Sequence, residues 1–171
     1  LPGFLRRERA DLLFCPGGVV DTSVPAGCKV VTMFRNMIPF DAELVGSMPW
    51  GLQRLRNLIL RRVLLRSMAN ADLTIFISDH ARGLIERLAR IPNPVTIPHG
   101  INETFRTANL VLPRPSGAPK GRYLLYVSRF DIYKHHRDVV RAFAALPEEL
   151  RQGLSLVFLG ETDMPEAQPV A

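Results

Sequence analysis

Residues 123–143 read YLLYVSRFDIYKHHRDVVRAF, and this stretch decides the fold. Its first five residues are apolar or aromatic and predict a buried strand. Val139, Val140 and Phe143 follow at the spacing of one side of a helix, and Ala144 extends that pattern. A buried strand that leads through a short loop into a helix is half of a β-α-β unit, so the stretch indicates a parallel sheet.

Two cations lie in the loop between this strand and this helix. Arg129 and Lys134 are five positions apart, and both a guanidinium and an ammonium bind phosphate oxygens. Ligands of open α/β sheets bind beyond the carboxyl ends of the strands, which is where this loop lies. We therefore expect both side chains to converge on one anionic group, and a diphosphate suits them. The alternative is a pair of solvated basic residues on a surface loop.

The order of strand and then helix recurs in the first part of the chain. Apolar and β-branched runs predict buried strands at residues 11–15, 29–34 and 73–77. The run at 29–34 is typical of a sheet that is covered on both faces. A helix is predicted over residues 50–69, with the Ser-Met-Pro sequence at 47–49 as its cap and first turn.

A second helix follows the strand at 73–77. Ser78 is its predicted N-cap, and its apolar residues recur at helical spacing. These residues are Ala81, Leu84, Ile85, Leu88 and Ala89. Residues 95–97 then form a short extended segment. Because parallel strands need crossover connections, the whole pattern predicts an α/β protein with Rossmann-like, doubly wound parallel sheets.

Proline and glycine are concentrated between residues 109 and 121 and mark a linker. The predicted organisation is a first domain at 1–107, a linker at 108–121 and a second domain at 122–171. The sequence begins without Met and ends soon after a strand that would lie in the middle of a doubly wound sheet. We therefore expect a fragment that is incomplete at both ends.

Four motifs resemble, in their order along the chain, the GT-B glycosyltransferases, specifically the large retaining family 4. They are DLTIFIS at residues 72–78, VTIPHGI at 95–101, SRFDIYK at 128–134 and LVFLGE at 156–161. The resemblance covers most of the chain. It implies the latter part of an acceptor-side first domain and the start of a second domain that binds a nucleotide-sugar.

The resemblance also implies donor contacts. Ser128, Arg129 and Lys134 would contact a UDP- or GDP-linked sugar, and His99 and Gly100 would lie at the turn where the cleft opens. Arg129 and Lys134 would be catalytic because they stabilise the charge on the departing nucleoside diphosphate, without a metal ion or another cofactor. Ser128 stands where the family often has Gly, and His99 serves equally well as hinge structure.

Four residues of the first domain fall on the acceptor side of the resemblance. Gly17 and Gly18 resemble a loop that faces the cleft, and a plain tight turn explains them as well. Arg35 and Asn36 stand where many family members carry a His. Arg35 suits an anionic acceptor such as a lipid-linked phosphate, and Asn36 suits a sugar hydroxyl, whereas loop structure is the alternative for both.

Two histidines and one acidic residue complete the candidates. His135 and His136 stand where many relatives have glycine, and we expect both to face solvent at the start of the helix, with contact to a phosphate as the alternative. Glu161 is not part of the family's acidic motif, a pair of glutamates that holds the donor sugar and ribose and that would lie beyond Ala171. The chain alone is therefore expected to be inactive.

The composition limits the classes of partner that the chain is expected to bind. The chain has 171 residues, of which 47% are hydrophobic and 22% charged, so it is long and apolar enough to bury a core. Its net charge of +6 suits a phosphorylated substrate, an anionic lipid or a nucleic acid. The arginines are spread out without aromatic interleaving, so no nucleic-acid partner is expected. Five arginines lie among the leucines of residues 50–69, where ordinary packing is favoured and peripheral membrane contact stays open.

Cys15 and Cys28 have no partner at metal-ligand spacing and are expected to be reduced, buried thiols. No apolar run reaches the roughly 18 residues of a membrane span, and no signal peptide is visible. The expected location is the cytoplasm, or the inner face of the membrane.

The sequence thus favours an enzyme of the hexosyltransferase type, active in polysaccharide biosynthesis. It would move a sugar from a nucleoside-diphosphate donor to a saccharide or lipid-linked acceptor, with retention and without a metal. Two alternatives stay open. One is a non-catalytic nucleotide- or polyanion-binding α/β module, and the other is a sugar-nucleotide epimerase of the same architecture, because fold alone does not determine the reaction.

Overall fold

The structure, a computed structural model, describes residues 1–106 and 114–161. The chain divides into two compact units, Leu1–Arg106 and Thr107–Ala171, and each is an α/β arrangement around a parallel sheet. Of the predicted linker at 108–121, residues 108–113 lie outside the described part of the chain.

Four parallel strands form the sheet of the first unit, and they lie side by side in the order in which they occur along the chain. They are β1 (Leu12–Cys15), β2 (Lys29–Phe34), β3 (Leu73–Phe76) and β4 (Pro94–Thr96). The register pairs Phe34 with Phe76, so the two rings lie at the same level of neighbouring strands. The predicted strands and their parallel direction are thus confirmed, with ends that differ by at most one residue.

The helices of the first unit are α1 (Pro2–Arg7), α2 (Ala42–Ser47), α3 (Leu52–Asn70), α4 (Asp79–Glu86) and α5 (Glu103–Arg106), with a 3₁₀ turn at Ile38–Phe40. The predicted cap of Ser78 on α4 is confirmed, because its hydroxyl accepts a hydrogen bond from the Ala81 amide at 3.2 Å. The predicted cap of Ser47 on α3 is wrong. Met48 precedes a proline and has an extended backbone, so Ser47 ends α2 and α3 begins only after Gly51.

The core of the first unit lies on one face of the sheet. Phe34 and Phe76 contribute rings that are at most 1% exposed, and α3 and α4 pack on them. The helical side chains in this core are Leu64, Met68, Ala81 and Ile85. Phe14, on the opposite face of β1, remains 45% exposed. The expectation of a sheet covered on both faces is therefore not met by the described residues.

A carboxylate joins the beginnings of two neighbouring strands. Asp72, directly before β3, accepts a hydrogen bond from the Val30 amide at 2.8 Å and one from Lys29 Nζ at 2.9 Å. The hydrogen bond from Lys29, together with that from the Val30 amide, lowers the pKa of Asp72. The same contact raises the pKa of Lys29.

The second unit is a single β-α-β unit within residues 114–161. Its strands β5 (Arg122–Val127) and β6 (Leu154–Leu159) are parallel, and α6 (His136–Ala144) and α7 (Glu148–Arg151) connect them. A 3₁₀ turn at Ile132–Lys134 precedes α6. The predicted burial of β5 is wrong for three side chains, since within residues 114–161 a single strand, β6, lies beside it. Leu124, Leu125 and Val127 are 49%, 50% and 67% exposed.

Both cysteines are free thiols, as expected, but they are half-buried rather than buried. The burial of Cys15 is enough to raise the pKa of its thiol. Among the residues described, no helix combines the length and the apolar character that crossing a membrane requires.

Candidate functional site

The loop at residues 128–134, which we call the 128–134 loop, starts at the carboxyl end of β5 and leads into α6. Two backbone hydrogen bonds hold its first residues against the end of β6. The Ser128 amide donates to the Leu159 carbonyl at 3.0 Å, and the Phe130 amide donates to the Glu161 carbonyl at 3.1 Å. Arg129 lies between these two bonds, so its backbone is held on both sides.

Gly160 makes this close approach possible. A Cβ atom on Gly160 would overlap the carbonyl oxygen of Ser128 and would lie 2.6 Å from its carbonyl carbon and 3.1 Å from the Arg129 amide nitrogen. Such distances are shorter than van der Waals contact, so a side chain at residue 160 would displace the backbone that carries Arg129.

The side chain of Arg129 has an acidic neighbour that sequence analysis did not assign to the site. Its Nε lies 3.6 Å from Glu161 Oε2, and the two side chains are 51% and 73% exposed. The sequence did contain a signal for this contact. Glu161 follows β6 as Arg129 follows β5, and the carboxyl ends of adjacent parallel strands meet at the same edge.

Lys134 occupies the end of the 3₁₀ turn, and its backbone is fixed by two hydrogen bonds. Its amide donates to the Asp131 carbonyl at 3.0 Å, and its carbonyl accepts from the Tyr126 hydroxyl at 2.7 Å. Its Nζ lies 5.0 Å from the centroid of the Tyr133 ring, within the range of a cation–π contact. Tyr126 thus connects β5 to the residue that carries the second cation.

His136 is buried, so the prediction that it faces solvent is wrong. It is 5% exposed, and its ring stacks on Phe130 with centroids 4.3 Å apart. Tyr126 and Phe158 contact the same ring at 5.2 and 5.4 Å between centroids. The reason is its position, because His136, Val139 and Phe143 lie on one side of α6 and that side packs inward. The buried Nε2 has no hydrogen-bond partner among the described residues.

His135 faces solvent, as predicted. Its backbone is left-handed, with φ of 54°, and it precedes the first residue of α6. Its Nδ1 lies 3.0 Å from Asp138 Oδ2, and Arg141 contacts the other carboxylate oxygen at 3.1 Å. The hydrogen bond from His135 is the main cause of the lowered pKa of Asp138, and the charge of Arg141 adds to it.

The predicted site residues of the first unit all follow strands at one edge of its sheet. Gly17 and Gly18 follow β1, Arg35 and Asn36 follow β2, and His99 and Gly100 follow β4. All four strands are parallel, so these three pairs share the carboxyl edge of the sheet. Arg35, His99 and Gly100 are exposed there.

Two of these residues have a structural role. Gly18 is buried with φ of +84°, and a Cβ would lie 2.8 Å from a methyl carbon of Leu64. Glycine is therefore required there by both conformation and space. The Asn36 side-chain oxygen accepts a hydrogen bond from the Ile38 amide at 3.2 Å and starts the 3₁₀ turn. For these two residues the structure shows the structural alternative. The Asn36 oxygen stabilises the 3₁₀ turn, and Gly18 allows a tight turn.

A cavity of about 500 Å³ in the first unit contains none of the predicted residues. It lies between residues 20–23 and the second half of α3, and Thr22, Ser23, Arg66 and Asn70 contribute polar groups. Val30, near the beginning of β2, also lines it. The cavity therefore lies toward the amino end of the strands, away from the edge that carries Arg35 and His99.

Within residues 1–106 and 114–161, no cluster of three or more His, Cys, Asp or Glu side chains is arranged to hold a metal ion. Comparison with protein-family models, with curated proteins and with solved structures found no match to this chain. The function is therefore inferred from the residues at the carboxyl edges of the two parallel sheets.

Proposed function

We propose that this chain is part of a GT-B glycosyltransferase built from Rossmann-like, doubly wound domains. It transfers a sugar from a UDP- or GDP-linked donor to a saccharide or lipid-linked acceptor, with retention of configuration and without a metal. The observation that carries the proposal is the location of Arg129 and Lys134, which both lie between the carboxyl end of β5 and the first turn of α6.

The backbone of the 128–134 loop supports this assignment. The hydrogen bonds of Ser128, Phe130 and Lys134 hold it at both ends, and Gly160 allows it to pack on the end of β6. A loop that is fixed before the ligand binds loses little conformational freedom on binding. The two cations are thus carried on a preorganised backbone, as a diphosphate site requires.

The contact with Glu161 is compatible with a diphosphate ligand. At 3.6 Å, with both side chains more than half exposed, the ion pair with Arg129 is weak. A diphosphate offers more negative charge and more acceptor oxygens than a single carboxylate. In the proposed complex the guanidinium turns from Glu161 to the phosphate.

The proposed catalytic role of the two cations follows from where negative charge develops during sugar transfer. As the bond between the sugar and the diphosphate breaks, negative charge accumulates on the leaving phosphate oxygens. Arg129 and Lys134 stabilise that charge more strongly in the transition state than in the bound donor, and this difference lowers the barrier. In the first unit, Arg35, Asn36, His99 and Gly100 lie at the carboxyl edge and take the acceptor-side and hinge-side roles.

Calorimetric titration of the 171-residue chain with UDP and with GDP tests the proposal. We expect one of them to bind, and Arg129→Ala plus Lys134→Ala to weaken binding by about tenfold or more, since each removes a charge-assisted contact. The matched control is Lys120→Ala plus Arg122→Ala. It also removes one lysine and one arginine charge, but at the amino end of β5.

The same titration separates the polyanion-binding alternative. A polyanion module would bind heparin with a steep salt dependence, would not release it to nucleoside diphosphates, and would lose affinity equally in both double variants. That result would reject the glycosyltransferase proposal.

A further inference from the structure

The first half of helix α3 buries the polar side chain of Asn57 and exposes three large apolar side chains. Asn57 is 5% exposed, whereas Leu52, Leu55 and Ile59 are 87%, 53% and 55% exposed. At about 100° per residue these three side chains fall on one side of the helix, opposite Asn57. The expectation of ordinary packing for this helix thus describes Leu60 and Leu64, which pack in the core, and not these three exposed side chains.

The exposed apolar side chains at the start of α3 and directly before it define a surface that we call the Trp50 surface. It consists of Trp50, Leu52, Leu55, Leu58 and Ile59. Trp50, directly before the helix, is 81% exposed. Single exposed leucines are normal on proteins, but a tryptophan and four large aliphatic side chains that are all exposed within residues 50–59 mark an interaction surface.

Trp50 is held in place by the helix that follows it. The Arg54 guanidinium lies 4.1 Å from the centroid of the indole ring, and Arg54 Nη1 donates to the Met48 carbonyl at 3.2 Å. Asn57 Nδ2 lies 3.4 Å from the Met48 sulfur. The turn before α3 is therefore attached to the helix at three points, and the exposure of Trp50 is a fixed property of the surface.

The charge along the segment that carries the Trp50 surface has one sign. Residues 44–71 contain five arginines and no aspartate or glutamate. Arg56 and Arg62 are exposed and lie on the two sides of the stripe formed by Leu55 and Ile59. An anionic membrane surface has apolar acyl chains beneath a layer of negatively charged phosphates. The exposed leucines and the tryptophan suit the acyl chains, and the arginines beside them suit the phosphates.

We propose that the Trp50 surface binds the interface of a membrane that contains anionic lipids. Helix α3 lies in the plane of the interface, with the apolar side chains among the acyl chains and Arg56 and Arg62 at the headgroup phosphates. Tryptophan is favoured at this depth because its ring is apolar and its N–H is polar. A second copy of the chain is a poorer occupant, because a twofold contact at this surface would bring the same arginines together.

Trp50 is the single tryptophan of the chain, so its fluorescence reports directly on this surface. The full chain is titrated with vesicles of phosphatidylcholine and with vesicles of equal parts phosphatidylcholine and phosphatidylglycerol. We expect the emission to shift to shorter wavelength, and to become protected from a water-soluble quencher, with the anionic vesicles and not with pure phosphatidylcholine. Added salt should weaken the effect.

Two variants test the two components of the surface, with vesicle sedimentation as the readout. Arg56→Gln plus Arg62→Gln should lower the partition coefficient by about fivefold for each charge. Leu55→Gln plus Ile59→Gln should lower it by about tenfold or more. The controls are Arg87→Gln plus Arg90→Gln, and Leu88→Gln plus Ile101→Gln, which change exposed residues elsewhere in the same unit and should bind as the unchanged chain does.

Three outcomes would overturn the proposal. The first is an unchanged Trp50 emission with anionic vesicles. The second is equal binding by the surface variants and their controls, with circular dichroism showing that all are folded. The third is a shift in emission that depends on protein concentration without lipid and accompanies dimer formation in sedimentation, which would assign the surface to a second copy. Nucleoside-diphosphate binding is measured separately, so the outcome here does not depend on the proposed function.

Discussion

His136 lies parallel to Phe130, with 4.3 Å between the ring centroids and 11° between the ring planes. This stacked pair joins the 128–134 loop to the first turn of α6, and Tyr126 and Phe158 enclose it. Because the buried Nε2 of His136 has no hydrogen-bond partner within the described residues, its polarity contributes nothing to the packing.

We therefore expect His136→Phe to keep or raise the free energy of unfolding, because it preserves the ring and removes the unpaired nitrogen. His136→Ala should lower it by about 2–5 kcal/mol, the range for removal of a large buried side chain. Urea unfolding followed by circular dichroism measures both. His80, which is exposed on α4, is the control, and its substitutions should change the free energy by less than about 0.5 kcal/mol. A larger loss for His136→Phe than for His136→Ala would show that the imidazole nitrogen is needed.

Gly160→Ala should disturb the backbone that carries Arg129. The added methyl group overlaps the Ser128 carbonyl, so the loop must move, at a cost of about 1–3 kcal/mol. Thermal unfolding measures the loss of stability, and the titration with UDP and GDP measures the accompanying loss of affinity. Gly117→Ala is the matched control, because nothing lies within 4 Å of a Cβ at that residue. Equal melting temperatures for the two variants would contradict the close packing described for Gly160.

Tyr126→Phe should weaken nucleoside-diphosphate binding and lower the free energy of unfolding by about 1 kcal/mol. The substitution removes only the hydroxyl that donates to the Lys134 carbonyl at 2.7 Å, a hydrogen bond that contributes about 1 kcal/mol. The ring contacts with His136 and Phe158 remain. Calorimetry should show an affinity several-fold lower, whereas Tyr123→Phe should bind unchanged. An unaltered affinity in Tyr126→Phe would mean that the position of Lys134 does not depend on this hydrogen bond.

The contact between Asp72 and Lys29 predicts a pH dependence of stability in the first unit. The pKa of Asp72 is lowered in the folded chain, so its contribution is present above the unfolded pKa, about 3.9, and is lost as pH falls through the folded value. The pKa of Lys29 is raised, so its contribution is present below about 10.4 and is lost as pH rises through its folded value.

Asp72→Asn should therefore melt below the unchanged chain at neutral pH, and the difference should disappear at strongly acidic pH. Melting curves recorded across the acidic range measure it. Asp11→Asn is the control, because no ion pair of that side chain is found in the described residues. A difference between Asp72→Asn and the unchanged chain that persists at the lowest pH would assign the effect to packing instead of charge.

The positions of the strands along the chain could largely be predicted from the sequence. The β-branched run at residues 29–34 predicts β2 with its observed bounds, because such residues suit a pleated surface. Short helices were missed for a physical reason. Helices α5 and α7 each contain four residues, about one turn, so neither repeats an apolar position. Helix α2 has six residues, fewer than two turns, and was missed for the same reason.

The packing of individual side chains was harder to predict. Spacing predicted that Val139 and Phe143 share one side of α6. His136 lies on that same side, but it was predicted to face solvent because a histidine at a helix start is usually polar and solvated. In α3 the composition does not show which side packs inward, and the structure buries Asn57 while it exposes Leu52. Such choices depend on the neighbours that the fold supplies, and these neighbours are distant in sequence.

The central claim is that Arg129 and Lys134 bind the diphosphate of a nucleotide-sugar donor. Phosphorus NMR of UDP and of GDP, recorded with the 171-residue chain and with its two double variants, tests it most directly. We predict that the diphosphate resonances of at least one nucleotide shift or broaden with the unchanged chain and with Lys120→Ala plus Arg122→Ala, and that the same concentration of Arg129→Ala plus Lys134→Ala gives a much smaller effect. Resonances that stay unperturbed by the unchanged chain, or that respond equally to both double variants, would contradict it.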